Sequence, residues 1–499
     1  MWILPVCRRH ALRLVVAASF ASGGCHGDAP STWSLAFEQA PAITVEAGAS
    51  VNLTVTPSGD APDDLTLIWE ADCGHVMGLT RRGSYVAPDA PAVCEVRATS
   101  AADPTVFATL QVTVTAATGG GAVRWTLHVA SDLDESVRKV APTADGGVVA
   151  LVETNGDLGG PPQGDLDVVV VRYDANGARL WTRALATPTR EFAGDVAVGA
   201  DGHVWVVGST YGALDGTNAG ESDAFVAELD ADGALVGIHQ FGSDRSDTAQ
   251  GVVVGEDGDL FVVGWTEGDL DGNLGLADGY LRRLTRAGDV VWTRQFGGSG
   301  IDFAIGVALD GDEAVAIGTT EGAVDGPSRG GQDAYLVRVG TDGALVALTA
   351  IGGATDDRAY GVAARASGGV VVSGSFGDEA FVRAFDGDDA AAWTYSIATG
   401  GTDLGQAVAV DGSGDVLVAG STSGDLETPN VGFFDAFAIR LTPEGVARWT
   451  RRFGSAADDY AWDVTLATDG DVVIGGRTDG ILADDYGAGG DGFLRRLAP

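Results

Sequence analysis

Seven segments of this chain open with a carboxylate and run on into a short strand. They are Asp167-Val-Val-Val, Asp223-Ala-Phe-Val, Asp278-Gly-Tyr-Leu, Asp333-Ala-Tyr-Leu, Asp378-Glu-Ala-Phe, Asp435-Ala-Phe-Ala and Asp491-Gly-Phe-Leu. A ring of such groups could hold cations or sugars. Each is preceded, however, by a hydroxyl at the end of another apolar run: Thr154, Thr210, Thr266, Thr320, Thr422 and Thr478, with Ser375 in the fifth copy. A strand-opening carboxylate that accepts hydrogen bonds from such a hydroxyl and from backbone amides braces a turn. The coupling of the two residue types favours that structural role.

Other candidates for chemistry are sparse. Asp269-x-Asp271-x-Asn273 alternates oxygen ligands as a calcium loop does, and Asp157, Asp215 and Asp325 occupy similar loops. No glutamate follows at EF-hand spacing, so these read as solvated turn residues and no metal or cofactor is assigned, calcium being the alternative. The six histidines form no HExxH and no pair at metal spacing, and neither GxSxG nor a Walker loop is present. The expectation is a protein without catalytic residues.

The elements that position these groups follow from their period. The aspartates are spaced by 56, 55, 55, 45, 57 and 56 residues. Trp-Thr pairs at Trp125, Trp181, Trp292, Trp393 and Trp449, with Gly237 and Ala347 in the two missing places, are spaced by 56, 56, 55, 55, 46 and 56. Two markers on different strands share one period and shorten together. Each unit therefore reads as four strands: A, such as Gly251–Val254; B, such as Leu260–Gly264; C, led by aspartate; and D, carrying Trp-Thr. Asp-Gly and Asn-Gly pairs such as Asp257-Gly258 and Asn176-Gly177 supply the tight turns. The tryptophans are expected to pack between units. The last unit holds strands A to C only, and an unpaired D-type strand, Val123–Val129, precedes the first. That strand is expected to complete the last sheet and close a ring, which removes exposed sheet edges.

Residues 122–499 resemble the bacterial seven-bladed β-propeller repeat family, through units such as Trp292-Thr-Arg-Gln-Phe-Gly297. The resemblance implies an architecture and no particular activity. Asp174 to Trp181 also slightly resembles the repeat of quinone-cofactor dehydrogenases, but no cofactor residues can be placed. The fifth unit lacks its B–C loop near Gly377, which would notch the loop-bearing rim.

Upstream, residues 1–25 read as an export signal: Arg8, Arg9 and Arg13 precede the apolar run Leu14–Phe20, which is too short to span a bilayer. Ser22-Gly23-Gly24-Cys25 resembles a lipobox, with Ser22 where leucine is usual, and makes Cys25 the lipidation site. Residues 26–37 read as a tether and 117–121 as a hinge. Between them, 38–116 alternates with period two, as in Val51–Val55 and Leu110–Val114, and reads as an antiparallel sandwich. Gly83, Tyr85, Ala87 and Pro88 make it similar to bacterial immunoglobulin-like spacer domains. Cys73 and Cys94 are the only cysteines beyond the signal region and read as one disulfide.

Acidic residues outnumber basic ones 70 to 30, for a net charge of −40. Such a surface repels phosphate backbones, so nucleic acid is excluded as a partner. Lys139 is the only lysine, which reads as codon bias. The expectation is an all-β, monomeric, lipid-anchored binding or scaffold protein of the outer membrane or periplasm. It would offer the B–C and D–A loops, such as 423–434, to an envelope protein or glycan. The alternatives are a propeller enzyme acting on polysaccharides and an outer-membrane assembly factor.

Overall fold

The computed structural model describes residues 33–39, 41–62, 65–78, 80–116, 119–322, 328–482 and 490–499. These residues are all-β, and no helix among them is long and apolar enough to cross a membrane. Cys25 and the signal segment lie outside the described residues, as do Thr118 in the hinge and Asp325.

From Val123 onward the chain forms seven four-stranded antiparallel sheets, in a β-propeller-type arrangement. In the third sheet, strand A is Asp247–Val254, B is Leu260–Thr266, C is Asp278–Leu284 and D is Val290–Phe296, paired in that order. The A strands of successive sheets pack on one another, and Asp459–Leu466 of the last packs on Glu135–Pro142 of the first. Val123–Val129 pairs antiparallel with Asp491–Leu497 as the outermost strand of the last sheet. The B and C strands are buried on both faces, so apolar residues fill successive positions instead of alternating, as in Leu260–Val263.

Every A strand carries a register shift, for example between Ala249 and Gly251. This bulge explains the glycine two residues before the end of strand B in six of the seven units. A methyl at Gly264 would stand 1.9 Å from the Thr248 carbonyl oxygen, and one at Gly420 would stand 1.8 Å from that of Leu404. The bulge leaves one residue per unit unpaired, aimed away from the ladder.

The N-terminal region has two four-stranded sheets. One is ordered Ser34–Phe37, Ser50–Ser58, Arg82–Val86, His75–Gly78; the other is Ala42–Glu46, Phe107–Thr115, Ala92–Ser100, Leu67–Ala71. Leu53, Leu67, Tyr85, Val96 and Leu110 fill the space between them. Two sequence expectations change here. Ser34–Phe37, placed in the tether, pairs with Val55–Ser58 and belongs to the sheet. The sandwich is also not wholly antiparallel, because Ala42–Glu46 crosses to the second sheet and pairs parallel with Gln111–Thr115. Cys73 and Cys94 form the disulfide, with an S–S distance of 2.03 Å. The hinge glycines are clamped: the Arg451 guanidinium donates to the carbonyls of Gly120 (2.7 Å) and Gly121 (3.3 Å).

Candidate ligand-binding face

Six of the seven aspartates, Asp167, Asp223, Asp278, Asp333, Asp435 and Asp491, are buried where strand C leaves the B–C loop. Loop amides donate to them: Gln163 N to Asp167 (2.9 Å), Ala219 N to Asp223 (2.8 Å), Leu274 N to Asp278 (2.7 Å), Arg329 N to Asp333 (2.8 Å) and Val431 N to Asp435 (2.8 Å). Strand D adds a partner: Gln240 Nε2 for Asp223 (3.0 Å), Gln295 Nε2 for Asp278 (2.8 Å), Arg452 for Asp435 and His128 Nδ1 beside Asp491 (3.1 Å).

The hydroxyl goes elsewhere. Thr154 donates to Glu135 (2.7 Å), Thr210 to Glu191 (2.8 Å) and Thr422 to Asp403. Glu135, Thr154 and Asp167 lie abreast on adjacent strands, so the threonine stands between two acids and serves the one that opens strand A. These acids, Glu135, Glu191, Asp247, Asp302, Asp357, Asp403 and Asp459, were missed from sequence. Their signal was present: they are spaced by 56, 56, 55, 55, 46 and 56 residues, the tryptophan period.

Asp378 is a correction. It is exposed in the two-residue turn Gly377-Asp378, and Glu379 takes the register position of the aspartates, opposite Phe376. The hydroxyl proposed for this unit, Ser375, is paired with Ala380 instead. With the B–C loop deleted there are no loop amides for an aspartate to collect.

The acids opening strand A face the strand-C aspartates of the preceding unit. Burial, reinforced by that neighbouring charge, pushes Glu135, Glu191, Asp247 and Asp302 above the ordinary carboxylate range. Burial likewise pushes Asp459 up to about 7. In the calcium-like loop, Asp269 accepts from Gly272 N (2.7 Å), Asp271 meets Arg294 (3.4 Å) and Asn273 donates to the Gly268 carbonyl (3.1 Å). These oxygens and amides are used within the loop or, for Asp271, by strand D of the same unit. Among the described residues, the one cluster of metal-ligand types is Asp72 with the disulfide cysteines.

What varies from unit to unit is the residue displaced by the bulge in strand A. Arg138, Gly194, Gln250, Ile305, Tyr360, Gln406 and Trp462 occupy this place in the seven units. The next residue is Lys139 in the first unit, Asp195 in the second and Asp463 in the last, with glycine or alanine elsewhere. Lys139 Nζ lies 3.9 Å from Asp463 Oδ1. Burial alone would lower the lysine, but Asp463 and Asp195 hold it above its ordinary value. Asp463 is pushed up to about 6 by burial, which outweighs the pull of Lys139, and it accepts from Val140 N (2.8 Å). The single lysine therefore ties the first and last units together, a role composition could not reveal.

An aromatic track crosses this face. Phe433, 71% exposed at the end of loop 423–434, meets Phe434 edge-on at 5.4 Å. Phe434 lies 5.3 Å from Tyr460, which stacks on Trp462 at 5.3 Å. The Arg138 guanidinium lies over the Trp462 ring at 4.9 Å, and Trp462 Nε1 has no hydrogen-bond partner. Further round the ring, Trp265 meets Phe303 at 5.3 Å and Phe192 meets Tyr211 at 6.2 Å. The tryptophans of strand D are placed differently: Trp181 Nε1 donates to the Ala231 carbonyl (3.0 Å) and Trp292 Nε1 to that of Thr341 (2.9 Å), across to the next unit.

The sandwich stands against the sixth and seventh sheets. Asn52 Nδ2 donates to the Asn430 carbonyl (3.0 Å), Ser50 Oγ to that of Gly454, and Arg495 Nη2 to that of Gly48 (2.7 Å).

No family model matches the chain. Regulatory protein FlaEY of Caulobacter vibrioides is 28% identical over 211 residues, 37% of this chain and 22% of that protein, so the match spans about a fifth of the relative's length. Among solved structures, a protein from Lactobacillus plantarum is 14% identical with a TM-score of 0.40, covering 79% of this chain and 97% of its own. Aldose sugar dehydrogenase from Streptomyces coelicolor, in its PQQ-bound form, gives 13% and 0.37, covering 77% and 99%. Drosophila Plexin A in complex with Semaphorin 1b gives 9% and 0.41, covering 77% and 88%. Likeness this remote carries no argument about activity. The chain stands as an all-β protein of repeated four-stranded sheets in a propeller-type fold.

Proposed function

We propose that this chain is an exported, lipid-anchored, non-enzymatic binding protein. It comprises an immunoglobulin-like spacer and a seven-bladed propeller closed by Val123–Val129. Its ligand-binding surface is the track from Phe433 through Phe434 and Tyr460 to Trp462 and Arg138, and a glycan is the partner its chemistry fits. The single observation that carries this reading is where the repeat breaks. Asp, Thr and Gly recur in nearly every unit and serve its own loop amides, hydroxyls and close packing, although one oxygen of each of Asp247, Asp278, Asp302, Asp333 and Asp459 is buried without a hydrogen-bond partner. The bulge positions vary round the ring instead: Arg138, Tyr360 and Trp462 occur once each, glutamine twice, and Gly194 and Ile305 fill the other two. Flat rings accept the C–H faces of sugars, while Arg138 offers donors to hydroxyls. The reading needs no metal or cofactor. Anchoring through Cys25 places the protein at the outer membrane.

The mature chain should be captured reproducibly by a glycan array or envelope extract, and Trp462→Ala should reduce capture about tenfold or more without moving the melting temperature. Capture of wild type and variant alike would remove the track from the reading. One observation favours an enzyme acting on polysaccharides instead: Asp463, raised to about 6 beside Lys139, could exchange a proton near neutral pH. Glycan cleavage abolished in Asp463→Asn would establish that second reading.

A further inference from the structure

Asn52, Ser84 and Met77 lie abreast on three paired strands of the sandwich. Asn52 reaches the propeller directly, so this row faces loop 423–434. Between the row and the loop is a crevice of about 630 Å³, bordered by Asn52, Met77, Arg82 and Ser84 on one side and Asn430 and Val431 on the other. Its size falls in the roughly 300–1,000 Å³ range of small-molecule sites.

Two of its polar groups are bare. Ser84 is 3% exposed and its hydroxyl has no hydrogen-bond partner. Asn430 Oδ1 is buried without a donor, although the Asn430 backbone N–H is bound to Asp425 (2.9 Å) and its Nδ2 to the Phe433 carbonyl (3.0 Å). Unpartnered buried polar atoms recur through this fold, but Ser84 and Asn430 border one and the same cavity, where an occupant would supply both. The charge of the lining is also unlike the rest of the molecule. In a chain with 70 acids and 30 bases, no carboxylate borders the crevice and its only charged residue is Arg82.

We infer that this interdomain crevice is a second binding site, for a hydroxyl-rich ligand bearing a carboxylate: a segment of acidic oligosaccharide. A sugar hydroxyl donates to Asn430 Oδ1, another exchanges a hydrogen bond with Ser84 Oγ, and the carboxylate lies at Arg82. The apolar side chains of Met77 and Val431 cover the C–H faces of the ring. The site is separate from the aromatic track and does not rest on it.

The test is calorimetric titration of the full mature chain with a galacturonate trisaccharide, and with a glucosamine trisaccharide as cationic control. The acidic trimer is expected to bind at least tenfold tighter than the cationic one. Ser84→Val, which removes the hydroxyl, and Asn430→Asp, which puts a repelling carboxylate in the crevice, should each weaken binding at least tenfold. Ile68→Ala, exposed on the other sheet of the sandwich, should leave it unchanged. Asn430→Asp changes a loop position, so it decides the matter if Ser84→Val lowers the melting temperature. No measurable binding of the acidic trimer, or undiminished binding by Asn430→Asp, overturns the inference. Binding lost only in Trp462→Ala would overturn it too, while leaving the aromatic-track reading intact.

Discussion

Asp459 has no exposed surface, and its carboxylate faces the aspartate Asp435 of the preceding unit. Burial leads the rise of its pKa to about 7, against about 4 in an unfolded chain. Between those values the folded state holds a proton that the unfolded state has released. The resulting stability is complete below pH ~4 and is lost as pH rises through ~7. Glu135, Glu191, Asp247 and Asp302 shift in the same direction and add to the trend. The melting temperature should therefore fall between pH 5 and pH 8, and Asp459→Asn should flatten that fall by the equivalent of at most about 3 kcal/mol. A variant with an unchanged slope would assign the proton to another group. Half of this arrangement was legible in the residues. The strand-C aspartates and the strand-B threonines were visible, but a threonine abreast of two acids can bond either, and only the side-chain directions decided for strand A.

At the scale of elements, the four-strand unit and the closing strand Val123–Val129 were readable because B and C carry runs of consecutive apolar residues and the turns carry Asp-Gly or Asn-Gly. The fifth unit was misread by one residue. The aspartate spacings of 45 and 57 disagreed with the tryptophan spacings of 46 and 56, and Glu379 restores agreement. The bulge was invisible, since nothing in Ala249-Gln250-Gly251 announces an extra residue. In the sandwich, Cys73–Cys94 joins residues separated by 21 positions. Closing a loop of that size is worth about 3 kcal/mol. Calorimetry of Cys94→Ser should show the sandwich transition lowered and the propeller transition unmoved. A shift in both would mean that the docking at Asn52 and Arg495 couples them into one cooperative unit.

For the whole molecule, a net charge of −40 opposes the compact state through self-repulsion. Raising sodium chloride from about 10 mM to about 0.5 M shortens the screening length from roughly 30 Å to a few Å. The melting temperature should rise across that range, and a flat or falling dependence would show that local Arg–Asp pairs, such as Arg440 with Asp411 and Arg283 with Asp257, dominate instead.

Sequence alone determined the number of repeats, the strand order within each and the pairing of the two cysteines. All three are properties of local pattern, written in periods and turn residues. Tertiary structure alone decided that Lys139 sits between Asp195 and Asp463, that Phe434, Tyr460 and Trp462 form one track with Arg138, and that Ser84 faces Asn430 across a crevice. These residues lie in different units or domains. Only the ring brings Arg138 beside Trp462, and only the sandwich's stance against the sixth and seventh sheets makes the crevice. Proximity created by closure and docking leaves no trace in spacing.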